Sequence, residues 1–329
     1  MIDFIRTVLH PAWYHGHGRR PPFFEGWYYK VVDKREQARY AFIPGVFIHQ
    51  DPAKTHSFIQ VLDGTYGSAT YHRFATFEAK PHAFNVRIAD NHFSTEHIHL
   101  NLDDEQGRVC GELHFEGLTP WPVTLASPGI MGWYGWLPVM ETYHGVLSLD
   151  HRIIGRLEVN GQVIDFTDGR GYIEKDWGTS FPSGYIWMQT NHFNAPHTSL
   201  TASIAVIPNL GRRFAGFIVG FWHNGMLYRF TTYNGSKVFT LRVSDTIVEW
   251  TLYNRYHELQ ILATRAEGGL LKGPLREDMH MRVDETMIAT AELRLLRLDG
   301  FRKTLIFEGH GRNTALEVVG DLSLLVTDS

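Results

Sequence analysis

The chain has 329 residues, of which 43% are hydrophobic and 20% are charged, so it can build a sizeable core in one large domain or two ordinary ones. A formal net charge of -4 gives no reason to expect a nucleic-acid partner or strong binding to anionic lipid. Cys110 is the only cysteine, which excludes a disulfide within the chain and is typical of a reducing compartment.

The predicted elements, in chain order, begin after an amino-terminal stretch without a sustained apolar core of secretory type. Together with the single cysteine, this predicts a cytoplasmic protein. Short alternating runs then follow, each bounded by Gly, Pro, Asn or Asp, which is typical of strands. They cover residues 24–32, 40–49, 57–62, 84–89, 145–160, 185–193, 214–223 and 246–254. Residues 287–298 fit a strand or a helix, and further strand-like runs end the chain.

Hairpin-type dipeptides separate several of these runs. They are Asp63-Gly64, Asn160-Gly161, Asn224-Gly225, Asn234-Gly235 and Asp299-Gly300. Many short strands joined by such turns predict an all-β fold of antiparallel barrels or sandwiches with few helices.

A short internal similarity suggests two related β units. FFEGWYYKVV (23–32) resembles SGYIWMQTN (183–191), and similar strand-like runs follow each of them. We place the units at residues 1–165 and 166–329, with one compact body as the alternative. The most apolar run, IMGWYGWLPVM (130–140), is too short to span a bilayer and is broken by Gly and Pro. We interpret that run as a buried loop and strand rather than a membrane contact.

The first candidate site residue is a carboxylate among aromatic rings. Strand alternation in residues 23–32 puts Glu25, Trp27 and Tyr29 on one face. Loss of hydration favours the neutral form of such a carboxyl group, which then serves as a proton donor. The alternative is that Glu25 pairs with Lys30, Arg20 or another cation and holds the strand in place.

Two further segments combine large rings with polar groups. Tyr185, Trp187, Gln189 and Asn191, followed by Phe193, share one strand face, which suits a ligand wall or, alternatively, a packed core.

In the EKDWG segment, Glu174 and Asp176 share a face if the segment is extended, with Lys175 opposite. Close carboxylates have pKa values that move apart, giving one acid and one base, unless the segment is a solvated loop. Trp177 lies beside them in the sequence. The segment 132–145 adds Glu141 and His144, a possible proton acceptor near neutral pH.

The 19 histidines raise the question of a metal. His97 and His99 share a strand face, and His10, His15 and His17 lie near the start, but no His-Glu-x-x-His motif or cysteine pair accompanies them. We therefore expect no metal. The sequence also has no phosphate-binding loop, dinucleotide-binding Gly motif or Gly-x-Ser-x-Gly elbow, which argues against nucleotide cofactors and serine hydrolases.

Three blocks of the sequence resemble the tocopherol cyclase family. Residues 19–31 (RRPPFFEGWYYKV) are close to the family's Phe-Glu-Gly-Trp-Tyr-[Tyr/Phe]-Lys signature. Residues 135–144 (GWLPVMETYH) are loosely similar to its Pro-x-Phe-Glu-Pro-His segment, with Met140 where Phe is usual and no Pro-His after the Glu. Residues 174–191 match its Glu-Lys-Asn-Trp-Gly, Phe-Pro and Trp-x-Gln-x-Asn run.

Two departures lie in the third block. Tyr185 replaces a usual Trp. Asp176 replaces the usual Asn, which changes a neutral group into a charge, so the headgroup of the substrate can differ from that of the family.

The resemblance implies a pair of lipocalin-like β-barrel units and an enzyme that closes a chromanol ring on a prenylated benzoquinol without a cofactor. An acid protonates the alkene, the phenol oxygen traps the cation and a base takes the phenol proton. The candidate acid and base residues are Glu25, Glu174, Asp176 and His144. The candidate substrate-binding residues are Trp27, Tyr29, Glu141, Trp177, Tyr185, Trp187, Gln189 and Asn191.

Two other functions fit the same residues. A lipocalin-like protein can carry a prenylquinone or another lipid without transforming it. A hydratase of isoprenoids would use the same alkene protonation but let water trap the cation. In all three cases the partner is a hydrophobic small molecule. Transient peripheral contact with a membrane is compatible with each, although no basic amphipathic helix supports it.

Overall fold

The structure, a computed structural model, describes residues 2–138, 140–209, 212–275 and 278–327. In these ranges one α-helix, α1 (Ile2–Val8), precedes 23 β-strands. Short 3₁₀ turns occur at Pro52–Lys54, Gly132–Trp136 and Thr232–Asn234. The predicted all-β class with few helices is confirmed.

The chain divides into two compact units. The first contains residues 1–181 and 269–282, and the second contains residues 182–268 and 283–329. The boundary that the sequence suggested between residues 165 and 166 stays a prediction of domain organisation.

The first unit is built on a 12-stranded antiparallel sheet in the order β4-β3-β2-β1-β12-β10-β9-β8-β7-β6-β5, with β11 paired to β10. Its strands are β1 (Phe23–Val32), β2 (Arg39–Ile48), β3 (His56–Asp63), β4 (Ser68–Phe74), β5 (Glu78–Ala79), β6 (Asn85–Ile88), β7 (Asn91–Ser94), β8 (His97–Asp104), β9 (Gly107–Glu116), β10 (Thr142–Val159), β11 (Gln162–Asp165) and β12 (Arg170–Gly178). Alternate residues of β1 (Trp27, Tyr29 and Val31) pack into one apolar core with Phe42 and Ile173.

The second sheet has 11 strands, most of which belong to the second unit, in the order β17-β16-β15-β13-β23-β22-β20-β19-β18, with β14 paired to β23 and β21 to β22. Its strands are β13 (Gly184–Thr190), β14 (His192–Phe193), β15 (Thr198–Asn209), β16 (Arg212–His223), β17 (Met226–Thr231), β18 (Lys237–Val243), β19 (Ile247–Tyr253), β20 (His257–Thr264), β21 (Gly269–Leu275), β22 (Asp278–Asp299) and β23 (Arg302–Gly320). By chain position, β21 and the first residues of β22 belong to the first unit.

The structure defines the secondary structure of two further segments that the sequence singled out. Residues 287–298 lie in β22, because Met287, Ala289, Ala291 and Leu293 are buried at every second position against the core. The apolar run 130–140 is a loop with a 3₁₀ turn and contains no strand in its described residues, which corrects the expected loop and strand; Val139 lies outside them. No described helix has the length and apolar character needed to cross a membrane.

Candidate active site

Strand β12 lies between β1 and β10, and its register decides which side chains meet. Residues directly opposite each other on antiparallel strands point to the same face of a sheet. Trp177 is opposite Glu25, and Lys175 is opposite Trp27. Because Trp27 belongs to the apolar core, all four side chains point to the core face of the first unit.

The other face of β12 carries Glu174 and Asp176, as strand alternation predicted. Asp176 is opposite His144 on β10, so these two side chains also share a face. The predicted carboxylates therefore form two groups on opposite faces of one sheet. Glu25 meets Lys175 on the core face, and Glu174 and Asp176 meet His144 on the other.

The lysine cluster consists of His15, Glu25 and Lys175, and all three are buried. The Lys175 ammonium donates to Glu25 Oε1 and, at 2.6 Å, to the Trp13 carbonyl. The His15 backbone N–H donates to Glu25 Oε2 at 2.8 Å. His15 Nδ1 lies 3.0 Å from Lys175 Nζ, and its Nε2 lies 3.3 Å from the Thr7 carbonyl. This arrangement fits a neutral imidazole that accepts from the ammonium.

The lysine cluster holds Glu25 in its ionised form. Burial raises the pKa of Glu25, but the Lys175 ammonium and His15 outweigh burial, so its pKa lies below the ordinary value. Burial lowers the pKa of Lys175 against the opposing effect of Glu25. The pairing with Lys175 therefore favours the ionised form of Glu25 over the neutral form that its aromatic surroundings predicted. The partner is neither Lys30 nor Arg20, because β12 brings Lys175 to it.

Aromatic rings enclose the lysine cluster. Lys175 Nζ lies 5.0 Å from the ring centroid of Trp27 and 4.7 Å from that of Trp177. His15 stacks on Trp177 with ring centroids 4.1 Å apart, and Tyr143 stacks on the same indole at 5.5 Å. Ring faces attract cations, so this part of the first unit is suited to positive charge.

The histidine cluster consists of His144, Glu174 and Asp176. His144 Nδ1 lies 2.9 Å from Asp176 Oδ1, and His144 Nε2 lies 3.4 Å from Glu174 Oε2. The side chains of His144 and Glu174 are only 13% and 6% exposed. Tyr172, which is also buried, donates its hydroxyl to Glu174 Oε2. One imidazole is thus held between two carboxylates.

The electrostatics of the histidine cluster favour a protonated imidazole. Burial lowers the pKa of His144, but Glu174 and Asp176 outweigh burial and raise it to about 9. A cluster with one imidazolium and two carboxylates can give up a proton and take one back near neutral pH. The same three groups offer ligand atoms within 4.8 Å of one another, which also suits a metal ion.

The raised pKa of His144 predicts how stability changes with pH. A group whose pKa rises from 6.5 to about 9 on folding contributes stability that is complete below pH 6.5 and is lost as the pH rises through 9. The contribution amounts to about 3 kcal/mol. We expect the free energy of unfolding of the wild type, measured by urea denaturation, to fall by about that amount between these pH values. The free energy of unfolding of His144→Gln should not show this dependence on pH. If the free energy of unfolding changes with pH equally in both proteins, the raised pKa does not belong to His144.

A cleft in the first unit opens beside both clusters. Helix α1, the loop around Gly132–Trp136 and the paired strands β10 and β12 form its walls, and its mouth is open to solvent. Its lining residues are Phe4, Thr7, Val8, Pro11, His15, Arg19, Pro128, Met131, Gly135, Pro138, Tyr143, His144 and Trp177. The lining is mainly apolar and aromatic, and each cluster contributes one histidine to it.

Three other residues predicted to bind substrate lie in the first unit, and they differ in burial and in hydrogen bonding. Trp27 is buried, and its Nε1 has no hydrogen-bond partner among the described residues. Tyr29 is also buried and donates its hydroxyl to the Ser94 carbonyl at 2.7 Å, which favours a packing role. Glu141 is half-buried just before β10, and its carbonyl accepts from the Thr179 N–H at 2.9 Å.

The remaining candidates, Tyr185, Trp187, Gln189 and Asn191, belong to the second unit. All four are buried, and the first three share the face of β13 opposite the apolar core. Tyr185 donates its hydroxyl to Glu317 Oε2 at 2.6 Å. A polar, aromatic face exists here as predicted, but it is assembled in a different unit from the lysine and histidine clusters.

Some residues of these surroundings carried no signal in the sequence that linked them to a site, and Phe193 lies on a different face from the predicted one. Phe193 packs into the core instead of joining the predicted face, because the strand is interrupted between β13 and β14. Glu285, fully buried, and Glu317 are opposite each other on β22 and β23. Their segments showed no motif. Lys175 and His15 were visible in the sequence, but nothing there linked them to Glu25.

Comparison with known proteins identifies the family. The tocopherol cyclase-like family profile matches residues 96–320, more than half of the chain. The chain therefore belongs to the tocopherol cyclase-like family. It is 23% identical to the probable chloroplastic tocopherol cyclase of Oryza sativa subsp. japonica and 24% identical to the chloroplastic tocopherol cyclase of Zea mays. Each alignment covers 93% of this chain and 77% of the relative.

The fold is shared with a solved structure. The crystal structure of CghA aligns with a TM-score of 0.56 at 11% identity, covering 92% of this chain and 89% of CghA. At this identity the similarity concerns the fold alone. It confirms the predicted lipocalin-like, antiparallel barrel type for the two β units of the chain.

Proposed function

We propose that this protein is an enzyme that closes a chromanol ring on a prenylated benzoquinol. The observation that carries the proposal is the histidine cluster, in which His144 is held protonated between Glu174 and Asp176 at the wall of an apolar, aromatic cleft. Membership of the tocopherol cyclase-like family supports the same reaction.

The histidine cluster has the groups that the reaction needs. The His144 imidazolium gives its proton to the alkene carbon nearer the ring, which leaves a tertiary cation on the adjacent carbon. The phenol oxygen then forms the new C–O bond, and Glu174 takes the phenol proton. Transfer of that proton across the 3.4 Å contact from Glu174 to His144 restores the starting state. Substrate and product are isomers, so no redox cofactor is consumed.

The other residues of the cleft would stabilise the carbocation and hold the prenyl tail of the substrate. Trp177 and Tyr143 line the same cleft as His144, and their ring faces would attract a developing positive charge there. Apolar side chains from α1 and the loop 128–138 line the cleft and would, with substrate bound, limit the access of water to the cation. Holding the oxygen and alkene together makes closure effectively unimolecular. In this proposal Glu25 acts as a positioning residue, because its ionised carboxylate fixes Lys175 and His15.

The test is incubation of the purified protein with a prenylated benzoquinol in detergent micelles made with D₂O. Cyclisation should give a chromanol with a changed retention time and ultraviolet spectrum. Its mass should exceed that of the substrate by a single non-exchangeable deuterium, because the acid delivers a solvent-exchanged proton to carbon. A product heavier by one molecule of D₂O would instead identify a hydratase. Heat-denatured protein is the control.

A non-catalytic carrier is the second candidate, and one observation favours it. Glu25, the carboxylate most closely surrounded by rings, is ionised and paired and has no proton to give. A carrier would retain the quinol on the protein without turnover. Recovery of unchanged, undeuterated substrate bound to the protein would replace the cyclase proposal with this one.

A further inference from the structure

A second group of histidines lies on the first unit away from the proposed chemistry. Strands β7, β8 and β9 are adjacent, and their register puts His92 opposite His99, His99 opposite Glu112, and His97 opposite His114. The sequence shows His97 and His99 as a pair on one strand, without a motif that adds a further ligand. The sheet supplies those ligands from the next strand.

The geometry concentrates ligand atoms around a single carboxylate oxygen. Glu112 Oε2 lies 3.9 Å from His97 Nε2 and 3.7 Å from His114 Nε2. The ligand atoms of these three residues all lie within 4.8 Å of one another. The other carboxylate oxygen, Oε1, lies 3.0 Å from His99 Nδ1. His99 therefore orients the carboxylate and leaves Oε2 facing the two imidazoles.

The local charges suit a cation. His97 and His114 both present Nε2 towards Glu112 Oε2, and a neutral imidazole offers a lone pair at that position. The nearest opposing cation by register is Arg156, directly across from Glu112 on β10. Its guanidinium is engaged with Asp165 at 3.0 Å and does not neutralise Glu112.

The distances also approach those of a coordination site. Zinc binds imidazole nitrogen and carboxylate oxygen at about 2.0–2.2 Å, so tetrahedral ligand atoms lie roughly 3.3–3.5 Å apart. The separations of 3.9 Å and 3.7 Å from Glu112 Oε2 to the two imidazole nitrogens are close to that spacing. Because Glu112 and His114 are more than half exposed, water can occupy the fourth position.

We propose that His97, Glu112 and His114 form a binding site for a divalent transition-metal ion such as Zn²⁺, which ties β8 to β9. His99 is a positioning residue for the carboxylate. Two imidazoles and one carboxylate are a ligand set that zinc and its neighbours accept readily. The site uses no residue of the lysine or histidine cluster. A test of metal binding therefore does not depend on whether the proposed reaction is correct.

The experiment is a calorimetric titration of metal-free full-length protein with Zn²⁺. We expect one site in the wild type that is lost in His114→Gln and in Glu112→Gln, and about 10- to 100-fold weaker in His99→Gln. His310→Gln is the matched control, since His310 is also an exposed histidine beside a glutamate, Glu292, at 2.6 Å. It should leave the affinity unchanged. Zn²⁺ should also raise the melting temperature of the wild type and of His310→Gln, but not that of His114→Gln or Glu112→Gln.

A second comparison separates the two groups of potential ligands. His144→Gln should retain the zinc site, because the proposed ligands lie on β8 and β9. Co²⁺ added to the wild type should give the intense visible absorption of tetrahedral coordination, and His97→Gln should abolish it. Zinc binding that survives in His114→Gln but disappears in His144→Gln would overturn the proposal. So would a wild type that binds no zinc.

Discussion

Replacing Lys175 with methionine should lower the free energy of unfolding by about 3–5 kcal/mol, because it leaves the Glu25 carboxylate buried without its partner. Both side chains are fully inaccessible to solvent, and the ammonium is the strongest charge that keeps Glu25 ionised. Methionine preserves most of the volume between Trp27 and Trp177, so the loss reports the charge more than a cavity. Urea denaturation at neutral pH measures this decrease in the free energy of unfolding.

Two comparison variants make this result specific. Lys34→Met removes an exposed lysine that pairs with Asp168 at 3.0 Å, and it should cost about 1 kcal/mol or less. Adding Glu25→Gln to Lys175→Met removes the stranded charge and should restore part of the stability. If Lys175→Met is no more destabilising than Lys34→Met, the buried ion pair is not what holds this part of the first unit together.

His144→Gln should lower turnover of a prenylated benzoquinol by about 100- to 10,000-fold, the usual contribution of a general acid–base group. Glutamine keeps a hydrogen-bonding group beside Asp176 but has no proton to give to an alkene. The measurement is the rate of chromanol formation per folded molecule, with folding checked by the melting temperature. The wild-type rate should fall as the pH rises through 9, where His144 loses its proton.

Glu25→Gln distinguishes this assignment from the alternative acid. If Glu25 only fixes Lys175 and His15, its loss should lower stability and raise the KM more than it lowers kcat. A Glu25→Gln enzyme that binds substrate normally but has lost kcat, beside an active His144→Gln, would transfer the role of proton donor to Glu25. Inactivity of the wild type towards every prenylated quinol would leave the carrier as the function.

Strand alternation made much of the site predictable. It correctly placed Glu25 with Trp27 and Tyr29, and Glu174 with Asp176, because side chains of a strand alternate with a period that sequence alone reveals. Family motifs in residues 19–31 and 174–191 pointed to the same two strands. The all-β class followed from short runs and hairpin turns, which depend on local chemistry.

Contacts between strands could not be predicted in the same way. The partner of Glu25 is Lys175, 150 residues further along the chain, and no local pattern gives the register of β1 with β12. For the same reason the sequence presented His97 and His99 as an isolated pair, while Glu112 and His114 arrive from β9. The raised pKa of His144 also depends on a contact between strands, because His144 lies on β10 and both carboxylates come from β12.

The alternation along Glu174, Lys175 and Asp176 has a consequence for how the chain folds. A one-residue slip of β12 against β1 would turn both carboxylates towards Trp27 and carry the ammonium away from Glu25. Such a misaligned pairing would bury three acidic groups without a cation, at a cost of several kcal/mol for each. Consecutive charges of alternating sign on β12 therefore disfavour a one-residue slip of its register against β1.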